Sequence, residues 1–582
     1  MAVNYCSCVL LILLIAAFVF PKTVYDSSKK WYRTPGNPGV RMRLTKRGIE
    51  HAREVTMAIL NKEIPRLNGI SVKANFGRGT SLTLKSLKVT GWKPPVISVI
   101  RLKPPDSIIV GFEDADVAIE SDFVGAYGIF EVKGNLSGTL EGMTAAATAQ
   151  ITTDDNDLSA KVTSCKAVAQ KADFDVKPEG PYRSFVKTYQ GAINGAIRTY
   201  IPTVMCQLLN GISAGAGKGI LKRLTDVPAG EMTRFLPDSG SKTGNTLMRR
   251  MLKDLTADTT LVGQPLVTDE YIEIATKGEL RYNTSDVRTP FYPRPMPDFE
   301  DHDKMIYIQS SDYVANAWLY QAYNNDRLVL RISEKDLPGE YANFLKTSCE
   351  GGEVDTDYPE YKEDDYDDYD YDKDVGGDGA EGEDGAGEEE EEEEEEEGNV
   401  FSKVCLGSLV PALEKAYPNI TTELIMLPHG IPQFEFTEGK GVILATSRMY
   451  SYGVLKNRSK KQLTVTNADT QTDLKLRVDG QKIKGNMKIN RLKFKLHRST
   501  VPKINPKDIE QLAPVARAII GPEVSRSLKA GLPIPGAEYV EFQDALVHIR
   551  EGYALIESDL QINKKKAQEI ARKAIDEALK NL

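Results

Sequence analysis

The alternation of hydrophobic and polar positions predicts long strands with one buried face and one wet face. Over Phe130–Leu140, apolar residues and glycines occupy every second position and polar residues occupy the others. Successive side chains of a strand point to opposite faces, so this pattern is typical of an antiparallel sheet that covers a core. The pattern recurs over Leu474–Val478 and Leu492–Leu496 with lysines and arginines at the outer positions, and a further strand is expected over Ala545–Ile556.

Apolar positions that recur every three or four residues predict helices before and after these strands. The first helix is expected to begin after Thr45, which is suited to cap it. The second spans Phe185–Ile212, and Pro202 is expected to kink it or to end its first part. In the second half, helices are expected over Leu409–Ala416 and Ile509–Leu528. Each half therefore holds a helix, a run of strands and another helix, which indicates the α+β class.

The last segment, residues 564–582, has the pattern of an amphipathic helix. Its apolar side contains Ile570, Ala574, Ile575, Ala578 and Leu579. Such a side either packs on the protein or anchors the helix at a membrane surface. We favour packing of this helix on its own domain.

Length and charge divide the chain into a basic body and an acidic segment. At 582 residues the chain is too long for one core, so two or more domains are expected. The net charge is −9, but residues 351–398 alone contain 26 acidic residues and two lysines. The remainder has 57 acidic against 72 basic residues, a charge of +15, which favours anionic partners.

The acidic segment, residues 351–398, includes ten consecutive glutamates and has too few apolar residues to fold, so it is expected to be disordered. Two roles are open for it. It screens the basic body from anionic surfaces until it is displaced, or it is an expendable, solvating loop.

The N-terminus predicts secretion. The apolar run Val9–Phe20 fits a signal peptide and is shorter than a helix that spans a bilayer. We assign residues 1–22 to a signal peptide, with an uncleaved hydrophobic anchor as the alternative. Four sequons, at Asn135, Asn283, Asn419 and Asn457, are candidate glycosylation sites of a secreted chain.

The cysteines beyond the signal are Cys165, Cys206, Cys349 and Cys405. An even number in a secreted chain predicts disulfides, and four cysteines allow three pairings. Local pairing, Cys165 with Cys206 and Cys349 with Cys405, is the simplest of these.

The histidines are not arranged for catalysis or metal binding. The five of them are scattered along the chain, with no spacing suited to a zinc site. The glycine-rich run Gly215–Gly219 lacks the spacing and the Ser or Thr of a phosphate-binding loop. The sequence therefore predicts no enzyme, no metal site, no cofactor and no nucleic-acid partner.

Several segments, taken in order, resemble one family. Residues 37–45 (NPGVRMRLT) are similar to the opening of the mature chain in the family of bactericidal/permeability-increasing protein, lipopolysaccharide-binding protein and the phospholipid and cholesteryl ester transfer proteins. Phe291–Tyr320 resembles the linker and the start of the second domain of that family. Tyr417–Asn419 and Gly531–Pro535 resemble later landmarks, and Cys165 and Cys206 match the position of the family's disulfide.

The resemblance covers about residues 35–563 and implies a tubular lipid-binding fold. Two elongated barrel-like domains, each a twisted antiparallel sheet wrapped around a long helix, would be joined by a central sheet into a boomerang shape. We assign residues 35–285 to the N-terminal domain, 286–304 to a proline-rich linker and 305–563 to the C-terminal domain.

The resemblance also implies an apolar tunnel in each domain. The candidate lining residues in the first half are Val55, Ile59, Tyr189, Ile193 and Ile197. The candidate tip that contacts a membrane consists of Phe76, Arg78, Phe123, Val124 and Tyr127. As the alternative, Phe123 and Tyr127 fold back onto the domain.

We therefore expect a secreted lipid-binding or lipid-transfer protein that holds phospholipid acyl chains. Its expected partners are phospholipids or other acyl lipids, and lipid surfaces or lipoprotein particles. A binder of bacterial lipopolysaccharide or membranes is the first alternative. An extracellular structural protein with a cation-binding acidic loop is the second.

Overall fold

A computed structural model gives the fold of most of the chain. The structure describes Tyr32 and residues 34–77, 80–127, 130–154, 157–180, 187–188, 190–216, 249–337, 339–349, 404–480, 482–529, 532–533 and 539–580. The expected signal peptide and the acidic segment lie outside these residues.

Helices and strands alternate along this part of the chain. The α-helices are α1 (Lys46–Glu63), α2 (Gln190–Ala216), α3 (Asp312–Asn324), α4 (Leu406–Leu409), α5 (Pro411–Ala416), α6 (Pro506–Glu510), α7 (Leu512–Lys529) and α8 (Lys564–Lys580). Short 3-10 helices span Ile64–Arg66, Glu334–Asp336 and Gly339–Leu345. The strands of the first half are β1 (Val40–Thr45), β2 (Ile70–Gly77), β3 (Thr80–Lys93), β4 (Ile97–Lys103), β5 (Ser107–Tyr127), β6 (Phe130–Asp154), β7 (Asp157–Val168), β8 (Lys171–Pro178), β9 (Leu255–Asp258), β10 (Leu266–Val267), β11 (Tyr271–Thr276) and β12 (Glu279–Tyr282). Those of the second half are β13 (Ile306–Ser311), β14 (Leu330–Ile332), β15 (Thr421–Pro428), β16 (Gln433–Thr437), β17 (Lys440–Val454), β18 (Lys460–Asp479), β19 (Lys482–Ser499), β20 (Leu532–Pro533), β21 (Val540–Arg550) and β22 (Tyr553–Ile562).

The N-terminal sheet is antiparallel and has the order β2-β3-β5-β6-β7, with β4 on β5 and β8 on β6. The alternation predicted for β6 is confirmed, because Leu136 and Leu140 are buried while Lys133 and Asn135 are exposed. Helix α2 packs on the inner face against β6, β7 and β8. The long helix thus lies along the buried side of a long sheet, as expected.

The C-terminal sheet repeats this plan in the order β14-β15-β17-β18-β19-β20, with β16 on β17. Its inner face carries Leu474, Leu476 and Phe494, which are buried, while Lys475 and Lys493 are exposed on the outer face. Helices α6 and α7 pack against β19. Each half therefore contains an antiparallel sheet with a helix against it, which confirms the α+β class.

A central sheet of order β10-β11-β1-β13-β22-β21 joins the two halves. Strand β1 lies in its middle, where Met42 is opposite Ile274 of β11 and Ile308 of β13. Helix α1 follows directly, as predicted, with Thr45 at its N-cap. The Thr45 hydroxyl makes no cap bond, however, and donates to the carbonyl of Lys304 at 2.7 Å.

The linker that precedes β13 is held on the central sheet by two arginines of β1. Arg41 contacts Glu273 and Asp298, each at 2.8 Å, and Arg43 contacts Glu273 at 2.7 Å. Burial lowers the pKa of Arg41, but its bonds to the two carboxylates more than reverse this, so that its pKa is raised. The guanidinium of Arg43 also lies 4.5 Å from the ring centre of Phe299 in the linker.

Helix α8 crosses to the other half of the molecule, which corrects the expectation that it packs on its own domain. It lies against α1 and α2. Glu63 at the end of α1 accepts hydrogen bonds from Arg572, at 3.1 Å, and from Gln568 of α8. Ile575 and Ala578 on the apolar side of α8 are buried. The sequence showed the apolar side of this helix but not its partner.

The two disulfides are the pairs expected from local pairing. Cys165 of β7 bonds Cys206 of α2, and Cys349 bonds Cys405, with Cα atoms 5.7 and 5.3 Å apart. Helix α2 continues through Pro202 and does not end there. Within the described residues, no helix has the combined length and hydrophobicity needed to cross a membrane.

Candidate functional site

The inner face of the C-terminal sheet borders an apolar cavity with about 880 Å³ of space free of atoms, counting the part that opens to solvent. Below we call it the C-terminal cavity. Its lining residues are Ile332, Leu337, Phe344, Leu345, Leu406, Leu413, Leu424, Met426, Met449, Ser451, Thr464, Thr466, Phe494, Ile509, Leu512 and Ala516.

Strand and helix periodicities build this lining from distant parts of the sequence. The sheet contributes every second residue, such as Leu424 and Met426 on β15. The helical side contributes residues one turn apart, such as Leu512 and Ala516 on α7. The 3-10 helix that ends at Leu345 closes a further side. The cavity remains because the helices cover the curved sheet without filling the space beneath them.

The chemistry of the lining is almost entirely that of hydrocarbon. The lining residues include no charged side chain, and only three carry a hydroxyl. The hydroxyls of Ser451 and Thr464 are 2.6 Å apart and bond each other. The buried hydroxyl of Thr466 has no hydrogen-bond partner in the described part of the chain. This cavity is therefore suited to an apolar chain and offers one hydroxyl to an oxygen of its ligand.

The disulfide Cys349–Cys405 fixes one wall of the cavity. Cys405 directly precedes Leu406, and Cys349 follows shortly after Leu345, so that the bond joins two lining segments. Thr347, between Leu345 and Cys349 in the sequence, is fully buried, and its hydroxyl donates to the carbonyl of Tyr417 at 2.6 Å. The covalent bond and these hydrogen bonds together hold the wall in place.

The structure brings together only some of the tunnel residues proposed in the first half. Ile197 of α2 is 2% exposed and belongs to the buried cluster of the N-terminal sheet, and Ile193 packs against that cluster. Val55 and Ile59 of α1 are also buried, but they are not part of it. Tyr189 lies outside the described residues. A tunnel in this half therefore stays a prediction.

The proposed membrane tip is wrong for Phe123, which is 6% exposed. Residues 122–127 are not a loop but the last part of β5, and Phe123 has the same inward direction as Ile119. Its ring lies over Gly134, where a Cβ atom would come within 2.9 Å of it. Val124 is half-buried. The side chains of Phe76, Arg78 and Tyr127 lie outside the described residues.

Sequence reasoning named no lining residue in the second half, where the described cavity lies. The alternation around Phe494 marked the inner face of β19, which was a usable signal. Nothing in the local pattern showed that helices α4 to α7 leave space above that face. The distance between helix and sheet depends on contacts between residues far apart in the sequence.

A second, more polar cleft lies where the linker meets α3 and β16, with about 480 Å³ of space free of atoms, counting the part that opens to solvent. It is lined by Tyr32, Phe291, Tyr292, Arg294, Asp312, Tyr313, Asn316, Gln433, Phe434 and Glu435. Burial raises the pKa of Asp312 to about 7, although Arg294 opposes the shift. The carboxyl can therefore change its charge near neutral pH.

The remaining candidate sites are at the surface. All four asparagines of the sequons are exposed, so a glycan could be accommodated at each of them. Glycosylation itself stays a prediction. Among the residues that the structure describes, no three His, Cys, Asp or Glu side chains converge as a metal site would require.

Comparisons with known proteins point to one family. A sequence model described as LBP / BPI / CETP family, C-terminal domain, matches residues 250–359 and 396–562. The bactericidal permeability-increasing protein of Sebastes schlegelii is 19% identical over 532 residues, which cover 90% of this chain and 95% of that protein. The lipopolysaccharide-binding protein of Homo sapiens is 18% identical over 537 residues, which cover 90% and 94%.

Among solved structures, the crystal structure of a lipopolysaccharide binding protein matches with a TM-score of 0.41 and 16% sequence identity. That match covers 90% of this chain and 99% of the other. The family model falls on the second half of the chain, and the relatives align with nine-tenths of its length. We conclude that the chain belongs to the LBP / BPI / CETP family and is not an enzyme.

Proposed function

We propose that this protein binds acyl lipids and holds hydrocarbon chains in the C-terminal cavity. The observation that carries the proposal is the lining of that cavity, which combines aliphatic, aromatic and thioether side chains without a charge. Each buried methylene contributes about 0.8 kcal/mol, so a 16-carbon chain gains roughly 12 kcal/mol before the cost of ordering it. Such a gain is enough for stable binding without any covalent step.

The names of the relatives support a lipid ligand. One relative is a bactericidal permeability-increasing protein and another is a lipopolysaccharide-binding protein. We propose a secreted carrier or transfer protein for phospholipid. The two disulfides support secretion, because disulfides form in oxidising compartments. Lipopolysaccharide binding on the same fold is the second candidate, and the second relative's name favours it.

We also propose that the two halves are separate lipid-binding domains, residues 35–285 and 305–563, with residues 286–304 as their linker. The separate sheets support this division, since each has its own helix on the inner face. Lipoprotein particles and membranes are the lipid surfaces with which we expect exchange.

The first experiment is mass spectrometry of organic extracts from the purified full chain. Co-purified phospholipid supports a phospholipid carrier. Selective retention of lipopolysaccharide from a mixture with phospholipid supports the second candidate. Recovery of no apolar ligand, together with no uptake of added phospholipid, contradicts both and favours a structural role.

The cavity itself is tested by filling it. Ala516→Phe adds a ring to the lining, and we expect it to lower the amount of bound fluorescent phosphatidylcholine at least fivefold. Gln511→Phe is the matched control, because this position is exposed just before α7. Both variants must keep the thermal stability of the parent. Unchanged uptake by a folded Ala516→Phe variant contradicts binding at this cavity.

A further inference from the structure

The outer face of the C-terminal sheet carries a concentration of positive charge. Lys475 and Arg477 of β18 are exposed there. On β19 the exposed cations include Lys482, Lys488, Arg491, Lys493 and Lys495. We call these seven residues the basic face. They result from strand alternation, since each lies next to a buried residue of the inner face.

Few carboxylates balance this charge. The outward positions of β18 include Asp469, Asp473 and Asp479. Asp479 contacts Lys484 at 2.5 Å, and Asp473 contacts Lys440. In the strand register, the three aspartates lie opposite Lys493, Lys488 and Lys482 of β19. The seven cations of the basic face therefore outnumber the three carboxylates of β18 and β19 by four.

The cations follow one strand rather than filling a disc. Lys495 lies thirteen positions after Lys482, which corresponds to about 43 Å at 3.3 Å per residue. Sheets twist by roughly 20° per strand, and long strands twist along their own axis, so a row of this length does not lie in one plane. A flat bilayer can touch only part of such a row, whereas an extended polyanionic chain can follow all of it.

We propose that the basic face binds the protein's own acidic segment, residues 351–398. This stretch contains 26 acidic residues and two lysines, which is the charge complement of the face. The proposal concerns a contact between charged groups, and it is independent of lipid binding in the C-terminal cavity.

The points of attachment place the segment within reach. Both of its ends leave the fold at the disulfide Cys349–Cys405. Cys349 follows shortly after Lys346, which pairs with Thr421 at the start of β15. From there the path to Lys495 runs along β15 and across β17 and β18 to β19, all within one sheet.

The length of the segment is sufficient for the whole face. Its two ends are 56 positions apart in sequence, and half of that number extends to about 90 Å. A tethered ligand has an effective concentration on the order of millimolar, so contacts that are weak one by one are still occupied. External polyanions must displace the acidic segment before they bind the basic face. Salt weakens the contact between segment and face, because the charged groups are exposed to solvent.

Carbodiimide cross-linking of the full chain tests the contact directly. This reagent joins carboxylates to lysines only in contact. We expect cross-links from the segment to Lys482, Lys493 and Lys495 at 50 mM NaCl, reduced at least fivefold at 1 M NaCl. Exposed Lys85 and Lys161 of the N-terminal sheet are the internal control. Cross-links that are absent, intermolecular, or equally frequent at the control lysines overturn the proposal.

A competition experiment uses heparin as the external polyanion. In a segment-neutral variant, every Asp and Glu of 351–398 is replaced by Asn or Gln, and we expect at least tenfold tighter heparin binding than in the parent. Adding Lys482→Glu, Arg491→Glu, Lys493→Glu and Lys495→Glu should remove this gain. The control variant reverses four charges of the N-terminal sheet in place of those four, by Lys85→Glu, Lys88→Glu, Lys161→Glu and Lys177→Glu. It changes the net charge equally and should keep most of the gain in heparin affinity.

The outcomes of the competition are distinct. Equal heparin affinity of parent and segment-neutral variant shows that the face is open to external polyanions, which contradicts the internal contact. Equal loss of the gain in both reversed variants shows a general effect of net charge and also contradicts it. Phospholipid uptake by the C-terminal cavity should be the same in all of these proteins, which separates this proposal from the proposed function.

Discussion

The N-terminal and C-terminal sheets follow the same plan but differ in both of their faces. On the outer face of the N-terminal sheet, cations have acidic neighbours, such as Lys133 with Glu131 at 2.9 Å and Lys177 with Asp175 at 3.3 Å. The corresponding face of the C-terminal sheet carries the surplus of the basic face. Two sheets of similar construction can therefore present outer faces with different charge balances, because outward positions do not take part in packing the core.

The inner faces differ as well. In the N-terminal sheet, Gly138 lets β8 approach β6 so closely that a Cβ atom there would lie 2.5 Å from the Cα of Phe174. Phe174 is 2% exposed in the cluster that includes Leu140 and Ile197. In the C-terminal sheet, Phe494 borders the cavity. Side chains therefore pack closely around Phe174 and leave space beside Phe494. Removing each of these rings should lower the free energy of unfolding by different amounts.

The largest effects are expected from removing the disulfides. The bonded cysteines are separated by 41 positions in one loop and by 56 in the other. The loss of either bond should lower the free energy of unfolding by about 4 kcal/mol. The double substitution Cys349→Ser with Cys405→Ser should also reduce phospholipid uptake, because this bond fixes a cavity wall. Cys165→Ser with Cys206→Ser should leave uptake by the C-terminal cavity unchanged. Chemical denaturation and fluorescent lipid binding are the measurements, and equal uptake by both variants would falsify this role of the wall.

Next in size is the loss of an aromatic ring from each inner face. Phe174→Ala should lower the free energy of unfolding by about 3–5 kcal/mol, since it leaves a void in a closely packed cluster. Phe494→Ala should cost about 1–2 kcal/mol less, because atoms beside a cavity already lack contacts on one side. Denaturant unfolding measures both costs, from the shifts of the midpoints of transitions that have equal slopes. A larger cost for Phe494→Ala would contradict the difference in packing described above.

A smaller, local effect is expected at α8, which connects the two halves. Hydrogen bonding from Arg572 lowers the pKa of Glu63. The contribution of the ionised Glu63 to stability is therefore present at neutral pH and is lost as the pH falls through the lowered pKa. Glu63→Gln should speed amide hydrogen exchange in α8 about tenfold at pH 7, with little change in the strands. Glu54→Gln, at an exposed position of α1, is the control. Unchanged exchange in α8 would show that the apolar contacts alone hold it.

A pH-dependent effect is expected at the cleft beside the linker. Burial raises the pKa of Asp312 to about 7, with Glu435 adding to the shift and Arg294 opposing it. The folded protein therefore holds a proton that the unfolded chain releases, and the contribution of Asp312 to stability falls as the pH rises from about 4 to 7. Asp312→Asn should raise the melting temperature more at pH 8 than at pH 4. An equal shift at both values would rule out titration of this carboxyl as the cause.

Regular alternation let the sequence predict much of the fold. The strand over Phe130–Leu140, helix α1 after Thr45 and the inner positions around Phe494 were all predicted, because each depends on the period of a single element. The order of short segments also led to the family, which the comparisons confirm. Strand β1 was not predicted, since its partners β11 and β13 lie far away in the sequence.

The candidate site was less predictable than the fold. From the sequence, Phe123 is expected at a tip that contacts a membrane, but pairing with β6 continues the strand and turns its ring inward over Gly134. Helix α8 was recognised, whereas its docking on α1 and α2 of the other half was not.

By itself the sequence determined the periodicity of the elements, the cysteines available for pairing and the sign of the charge at each outward position. These properties belong to residues close together in the chain. Tertiary structure alone decided that space remains beneath α7, that Phe123 is buried and that seven cations of β18 and β19 form one face. Such features depend on distances between elements, which are set by the packing of side chains from the whole molecule.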